Sequence, residues 1–263
     1  MTQLQRLVIA PQQRQEEQIS LTPPQQHYLS RVLRLGKGDR FIAMDGKGGW
    51  YVSELESNLT QAKVIESLSI NTELLLAVTL LAAMPKGNGF DDVVYQATEL
   101  GVASIVPLKS DRTLLNPSPQ KVERWRRLAQ EAAEQSERQV VPTIINPVNV
   151  AESLQLTETS DAQRYICVAR GDAPHLLSCL LNQGLESLSP SIVIATGPEG
   201  GWTTAEVEQA TATGFQPVSL GRRILRAVTA PIVALSLVAS FLEMTRGNQG
   251  EIVQKVEGYK VES

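Results

Sequence analysis

The chain has 263 residues and a mass of 28.7 kDa, enough for one large domain or two modest ones with separate cores. Its 42% hydrophobic and 20% charged residues exclude a disordered, collagen-like or coiled-coil chain. The net charge of −4, taken as an average, argues against a nucleic-acid partner.

Cys167 and Cys179 form no CxxC pair, which excludes a disulfide framework or a zinc ribbon and fits a reducing cytoplasm. With only His27 and His175, little material is left for histidine-based metal chemistry, and no metal is expected. Met1–Ala10 has neither the apolar core nor the cleavage site of a signal peptide. The most apolar stretch, Ala227–Leu242, falls short of the roughly 20 residues a membrane span needs and is expected as a buried helix.

Up to residue 72, short strand-like runs at Arg40–Met44, Trp50–Leu55 and Ala62–Ile65 follow a short helix over Pro24–Leu33. Asp45-Gly46-Lys47-Gly48-Gly49 between the first two is a hairpin signal, and the close spacing predicts a small β-barrel. From residue 73, strands at Leu74–Leu81, Ser104–Leu108, Tyr165–Val168, Ile192–Thr196 and Pro217–Leu220 alternate with helical patterns, as in a parallel α/β sheet. One helix opens at Asp91-Asp92 and is capped by Gly101, a second spans Gln120–Arg138, and a third runs from a capping box at Thr203–Glu206 to Gly214. A fourth starts after Thr229 and is apolar on nearly every face to Met244, so either the core or a second subunit must cover it. The polar stretch Arg246–Ser263 is expected at the periphery.

Three segments carry chemistry. Thr196-Gly197-Pro198-Glu199-Gly200-Gly201-Trp202 joins a strand end to a capped helix, the place where open α/β sheets bind ligands. Its glycines let the backbone approach a ligand, and a tight turn alone does not require all three. Leu220-Gly221-Arg222-Arg223-Ile224-Leu225-Arg226 also links a strand to a helix start, and its three arginines suit an anion. Two such loops at two strand ends favour one shared pocket. Glu134-Gln135-Ser136-Glu137-Arg138 closes the second helix, where Arg138 is equally explained by the helix dipole. Arg31, Arg34, Lys37 and Arg40 lie within ten residues and, on their own, read as a solvated face. Their glycines mimic a cofactor loop, but a helix leads in and a strand leads out, the reverse of what that loop needs. No P-loop and no G-x-S-x-G element occurs.

In this order, RVLRLGKGD (Arg31–Asp39), ATELGVASIVPL (Ala97–Leu108), EQSER (Glu134–Arg138) with Pro142, GPEGG (Gly197–Gly201) and LGRRILR (Leu220–Arg226) with Thr229-Ala230 resemble the RsmE family of ribosomal RNA methyltransferases, within the SPOUT superfamily. The resemblance implies an α/β fold class: a PUA-like β-barrel over residues 1–72 that binds RNA, and a SPOUT domain over 73–263 with a deep trefoil knot. It also implies a cytoplasmic homodimer that moves a methyl group from S-adenosylmethionine to N3 of one uridine in 16S rRNA, within the 30S subunit, with no membrane association. By that resemblance the cofactor lies on Thr196, Gly197, Pro198, Glu199, Gly200 and Gly201 and on Leu220, Gly221, Ile224, Leu225 and Arg226, with help from the loop after Leu108.

Arg31, Arg34, Lys37 and Arg40 become phosphate contacts on the barrel. Uracil N3 must lose a proton, so the site needs a base or a way to stabilise the anion. Arg138 and Arg226 are the candidates for stabilising the anion and for positioning the uridine or a phosphate, and Glu199 is a candidate either for the base or for a loop anchor. The usual Thr-Glu after the second loop is Ala227-Val228 here, the usual lysine before ATELG is Gln96, and the usual glycine after Glu-Gln-Ser is Glu137. The alternatives are a SPOUT methyltransferase for another RNA base and a non-catalytic RNA-binding protein of ribosome assembly. Charge distribution sharpens the RNA reading: residues 146–263 hold eight Lys and Arg against twelve Asp and Glu, while positive charge concentrates at Arg31–Arg40 and Arg222–Arg226. Recognition should then depend on folded RNA shape rather than on bulk charge.

Overall fold

The computed structural model describes residues 4–158, 161–183 and 189–258. The chain forms two compact units. The first comprises the chain up to Glu73 together with Ala129–Val141, and the second comprises Leu74–Leu128 together with the chain from Pro142 onward.

In the first unit, β1 (Arg6–Val8), β2 (Arg14–Gln15), β3 (Gln18–Ser20), β4 (Arg40–Met44), β5 (Trp50–Leu55) and β6 (Gln61–Leu68) form one sheet in the order β1-β4-β5-β6-β3-β2. Strand β1 pairs parallel with β4, and the other pairings are antiparallel. The β4–β5 turn is tied by the Asp45 carboxylate, which accepts the Lys47 and Gly49 N–H groups at 2.8 and 2.9 Å. Gly46 and Gly48 take φ of 67° and 114°, a region that favours glycine. The helix expected at Pro24–Leu33 divides into α1 (Pro23–His27) and a π-helical turn, Tyr28–Val32. Leu7, Ile9, Ile19, Leu21, Leu29, Phe41 and Leu55 form the core of this unit. Burying each such side chain stabilises the fold by about 1.5–3 kcal/mol.

The second unit holds β7 (Ala77–Ala83), β8 (Ser104–Lys109), β9 (Thr143–Ile144), β10 (Val148–Asn149), β11 (Ala162–Cys167), β12 (Ser191–Thr196) and β13 (Gln216–Val218). All pairings are parallel, in the order β10-β8-β7-β12-β11-β13, with β9 beside β8. The late strand β12 therefore lies between β7 and β11. The strand expected at Leu74–Leu81 begins three residues later, at Ala77, where pairing with Ser191 of β12 starts. Leu74 instead lies against Gly101, where a Cβ would come within 2.8 Å of Leu74 Cγ.

Helices α2 (Gly89–Glu99), α3 (Pro119–Gln135), α4 (Val150–Glu158), α5 (Leu176–Gln183), α6 (Thr204–Ala212) and α7 (Thr229–Gly258) complete the fold. Asp91 in the first turn of α2 receives hydrogen bonds from Arg124 Nε at 3.0 Å and Trp125 Nε1 at 2.8 Å, and an ion pair from Lys121 at 3.0 Å. Burial raises its carboxyl pKa, but these donors outweigh that and hold it below the usual value. The Trp125 ring is fully buried, 4.5 Å from that of Phe90.

Helix α7 packs on α2, α5 and β12, and buries Ala234, Leu235, Val238, Phe241 and Leu242. It runs on to Gly258, past the apolar stretch and through most of the polar segment from Arg246; residues 259–263 of that segment lie outside the described residues. Among the described residues, no helix is long and apolar enough to cross a membrane.

Candidate functional site

The carboxyl ends of β11, β12 and β13 open onto a cavity of ≈ 610 Å³ in the second unit. Gly197, Pro198, Gly200, Gly201 and Trp202 of the first glycine loop line it, as do Leu225, Ala227 and Ala230 around the second loop. Leu220 and Gly221, with Arg223 and Leu225, line a smaller cleft of ≈ 50 Å³ that shares Cys167, Val168, Ala169 and Ala230 with the large one. The two loops singled out in the sequence thus face common space.

The loop conformation follows from its residues. Thr196 ends β12 and is buried. Gly201 takes φ of 68°, and its N–H donates to the Pro198 carbonyl at 2.8 Å, closing a tight turn. A Cβ on Gly197 would come within 3.1 Å of the Trp202 ring, whose Nε1 donates to the Cys167 carbonyl at 3.0 Å. Thr203 caps α6 by accepting the Glu206 N–H at 3.2 Å, and Glu206 returns the bond to the Thr203 N–H at 2.7 Å. Trp202, Val207, Pro217 and Leu225 give the wall apolar surface. Burial pushes the Cys167 thiol up to about 12, so it lines the wall as a neutral group.

Other candidates lie elsewhere. The Glu199 carboxylate does not line the cavity; it accepts the Lys86 N–H at 2.9 Å, which is the geometry of a loop anchor. Ile224 is 68% exposed. The Arg226 side chain is exposed, and its carbonyl accepts the Thr229 and Ala230 N–H groups at 2.8 and 3.0 Å at the start of α7.

Arg138 belongs to the first unit. It sits beyond the end of α3, not in its last turn, because Glu137 turns left-handed with φ of 62°. The Arg138 N–H then donates to the Ala133 carbonyl at 3.0 Å, a Schellman-type closure in which the left-handed residue is usually glycine. The buried guanidinium pairs with Glu73, Nη2 to Oε2 at 2.5 Å. Arg31, Arg34 and Lys37 are exposed on the first unit, whereas Arg40 bonds Glu54 at 3.1 Å.

Sequence reasoning missed two parts of the cavity. One is Val168–Ala173, an irregular loop whose only residue signal is Gly171. The other is Arg112, an isolated arginine in no recognisable motif, although the loop after Leu108 was expected to contribute. At the position where the pattern usually carries glutamate, Val228 packs on the start of α2: a Cβ at Gly89 would come within 2.7 Å of Val228 Cγ1. Among the described residues, no group of three or more His, Cys, Asp or Glu is placed to hold a metal ion.

Known proteins similar to this chain share one description. Residues 72–239 match the RNA methyltransferase domain family, and residues 21–66 match the RNA methyltransferase PUA domain. The chain is 48% identical over 240 residues to the ribosomal RNA small subunit methyltransferase E of Synechocystis sp., covering 90% of this chain and 78% of that one. It is 32% identical to the protein of the same name from Bacillus subtilis, covering 88% and 93%. The crystal structure of a ribosomal RNA small subunit methyltransferase E from Neisseria gonorrhoeae bound to S-adenosyl methionine superposes with a TM-score of 0.80 at 28% identity, covering 90% of this chain and 98% of that one. With its PUA-type first unit and parallel α/β second unit, the chain belongs to the RsmE family of RNA methyltransferases.

Proposed function

We propose that this chain transfers the methyl group of S-adenosylmethionine to N3 of a specific uridine in 16S rRNA, acting on the 30S subunit in the cytoplasm as a homodimer. The observation that carries the reading is the large cavity of the second unit, lined by Gly197, Pro198, Gly200 and Gly201 of the first glycine loop and by Leu225 of the second. The cofactor named for the Neisseria relative and the small-subunit RNA named for the Synechocystis and Bacillus relatives support it.

The cavity fits such a cofactor. Its ≈ 610 Å³ is within the range of small-molecule sites, roughly 300–1,000 Å³. The lack of side chains at Gly197, Gly200 and Gly201 lets an adenine approach the backbone closely, and Val207, Pro217 and Leu225 offer apolar contact. When bound, the cofactor supplies an electrophilic methyl group on a sulfonium.

The protein's own residues have four tasks. Arg226, exposed at the start of α7, is assigned to stabilise the uracil anion once the N3 proton has gone to solvent. Arg138 keeps its assignment as a positioning charge, held rigid by Glu73. Glu199 is assigned to anchor the first loop rather than to take the proton, since its carboxylate is engaged by Lys86. Arg31, Arg34 and Lys37 are assigned to RNA phosphates.

The dimer contact is assigned to α7, where Ile232, Val233 and Leu237 remain only partly covered. The trefoil knot is assigned to the second unit, where β12 lies between β7 and β11. Calorimetric titration tests the cofactor site: S-adenosylmethionine and S-adenosylhomocysteine should each bind once per chain. Absence of heat with both, on folded protein, overturns the reading.

A further inference from the structure

Arg112 lies in the loop after β8 and lines the cavity. Its Nη1 donates to the Gly200 carbonyl at 2.6 Å and to the Trp202 carbonyl at 3.3 Å. Its side-chain stem runs beside Gly200, where a Cβ would come within 3.2 Å of Arg112 Cβ and 3.1 Å of Cδ. A side chain at 200 would press on the arginine stem, which would have to give by a few tenths of an ångström. The same stretch of chain is fastened a second time, by the Asp111 N–H donating at 2.9 Å to the buried Glu206 carboxylate, which also takes the Thr203 N–H. No carboxylate pairs with Arg112 among the described residues, so its charge is spent on two carbonyl dipoles of the first glycine loop.

We propose that Arg112 is a positioning residue for cofactor binding, clamping Gly200 and Trp202 in the conformation that shapes the cavity wall; the proposal rests on the reading of that cavity as the cofactor site. A loop fixed before the ligand arrives spares the ligand the cost of ordering it. The clamp acts on cofactor affinity and leaves the rate of the bound complex largely intact.

The test is calorimetric titration of S-adenosylmethionine into the full chain, paired with steady-state methylation of unmodified 30S subunits. R112A should weaken cofactor affinity about tenfold, the size expected for losing charge-assisted hydrogen bonds. R112K, which keeps the charge and a donor nitrogen but not the planar guanidinium, should recover part of that loss. G200A, which pushes the arginine aside without removing its charge, should also weaken binding. The double variant R112A/G200A should bind no more weakly than the worse single variant, because both changes break one contact. The rate at saturating cofactor should change less than the KM for cofactor.

Wild-type affinity in R112A, or losses in R112A and G200A that multiply in the double variant, would overturn the clamp while leaving the cofactor site standing. A wild-type chain that binds no cofactor overturns both.

Discussion

The Glu199 carboxylate accepts a hydrogen bond from the backbone N–H of Lys86, at 2.9 Å from Oε1. That bond joins the Gly197–Gly201 loop to the segment after β7, two strand ends that are neighbours in the sheet. A carboxylate used in this way needs an acceptor oxygen and no titration. E199Q, which keeps an acceptor, should therefore retain methyl transfer within about fivefold, whereas general-base loss costs typically about 10²–10⁴-fold. E199A, which removes the acceptor, should fall further than E199Q and mainly in cofactor affinity. Steady-state kinetics of the two variants separates anchor from base.

Glu137 occupies a left-handed position at the end of α3 and pairs with Arg6 at 2.6 Å. The backbone favours glycine there by about 1 kcal/mol, while an ion pair between the half-exposed Glu137 and the largely buried Arg6 contributes roughly 1 kcal/mol. These effects oppose each other in E137G, which should be near neutral. E137A loses the pair and keeps the strain, so it should be about 1 kcal/mol less stable than E137G. Urea midpoints of the two variants, at unchanged m-value, check the order.

Glu73 does more than pair with Arg138. Its Oε1 also accepts the Gln139 and Val140 N–H groups, at 3.0 and 3.2 Å. E73A removes the carboxylate that pairs with the buried Arg138 guanidinium and accepts the Gln139 and Val140 N–H groups, and should cost about 3 kcal/mol. A double-mutant cycle with R138A should show positive coupling, measured by denaturant unfolding.

Burial holds the Glu134 carboxyl above its usual pKa, although the Val8 N–H at 2.7 Å and Gln130 at 3.3 Å oppose the shift. A raised carboxyl pKa means that the folded chain binds more protons than the unfolded chain. Its contribution to stability therefore falls as pH rises from the unfolded value, near 4.5, through the folded one. E134Q keeps the acceptor for Val8 and carries no charge. Its stability advantage over the wild type should grow from pH 4 to pH 7, as read by thermal melts across that range.

The sequence was most legible where one local rule decided the outcome. The capping box at Thr203–Glu206 appears as written, and β4 and β5 have the bounds expected of the two short runs flanking the Asp45–Gly49 turn. Residues of the two glycine loops face adjoining space because the carboxyl ends of parallel strands lie on one side of the sheet.

Legibility failed where long-range pairing decides. Strands β9 and β10 have two residues each and exist only through β8. Helix α5 carries four leucines around a cysteine, a run too short for periodicity to separate helix from strand. Arg138 read as a helix-end charge, and only the left-handed turn at Glu137 sends it to Glu73. Arg112 carries no local signal, since the carbonyls it holds lie 88 and 90 residues away.

The measurement that bears most directly on the central claim is methyl transfer itself. Purified 30S subunits lacking the modification would be incubated with the protein and S-adenosylmethionine carrying a labelled methyl group, and the 16S rRNA then digested to nucleosides and resolved by mass spectrometry. Label is expected in a single 3-methyluridine and is lost in R226A while cofactor binding persists. Label on another base or at another atom of uridine, or no label from a chain that binds the cofactor, would contradict the claim.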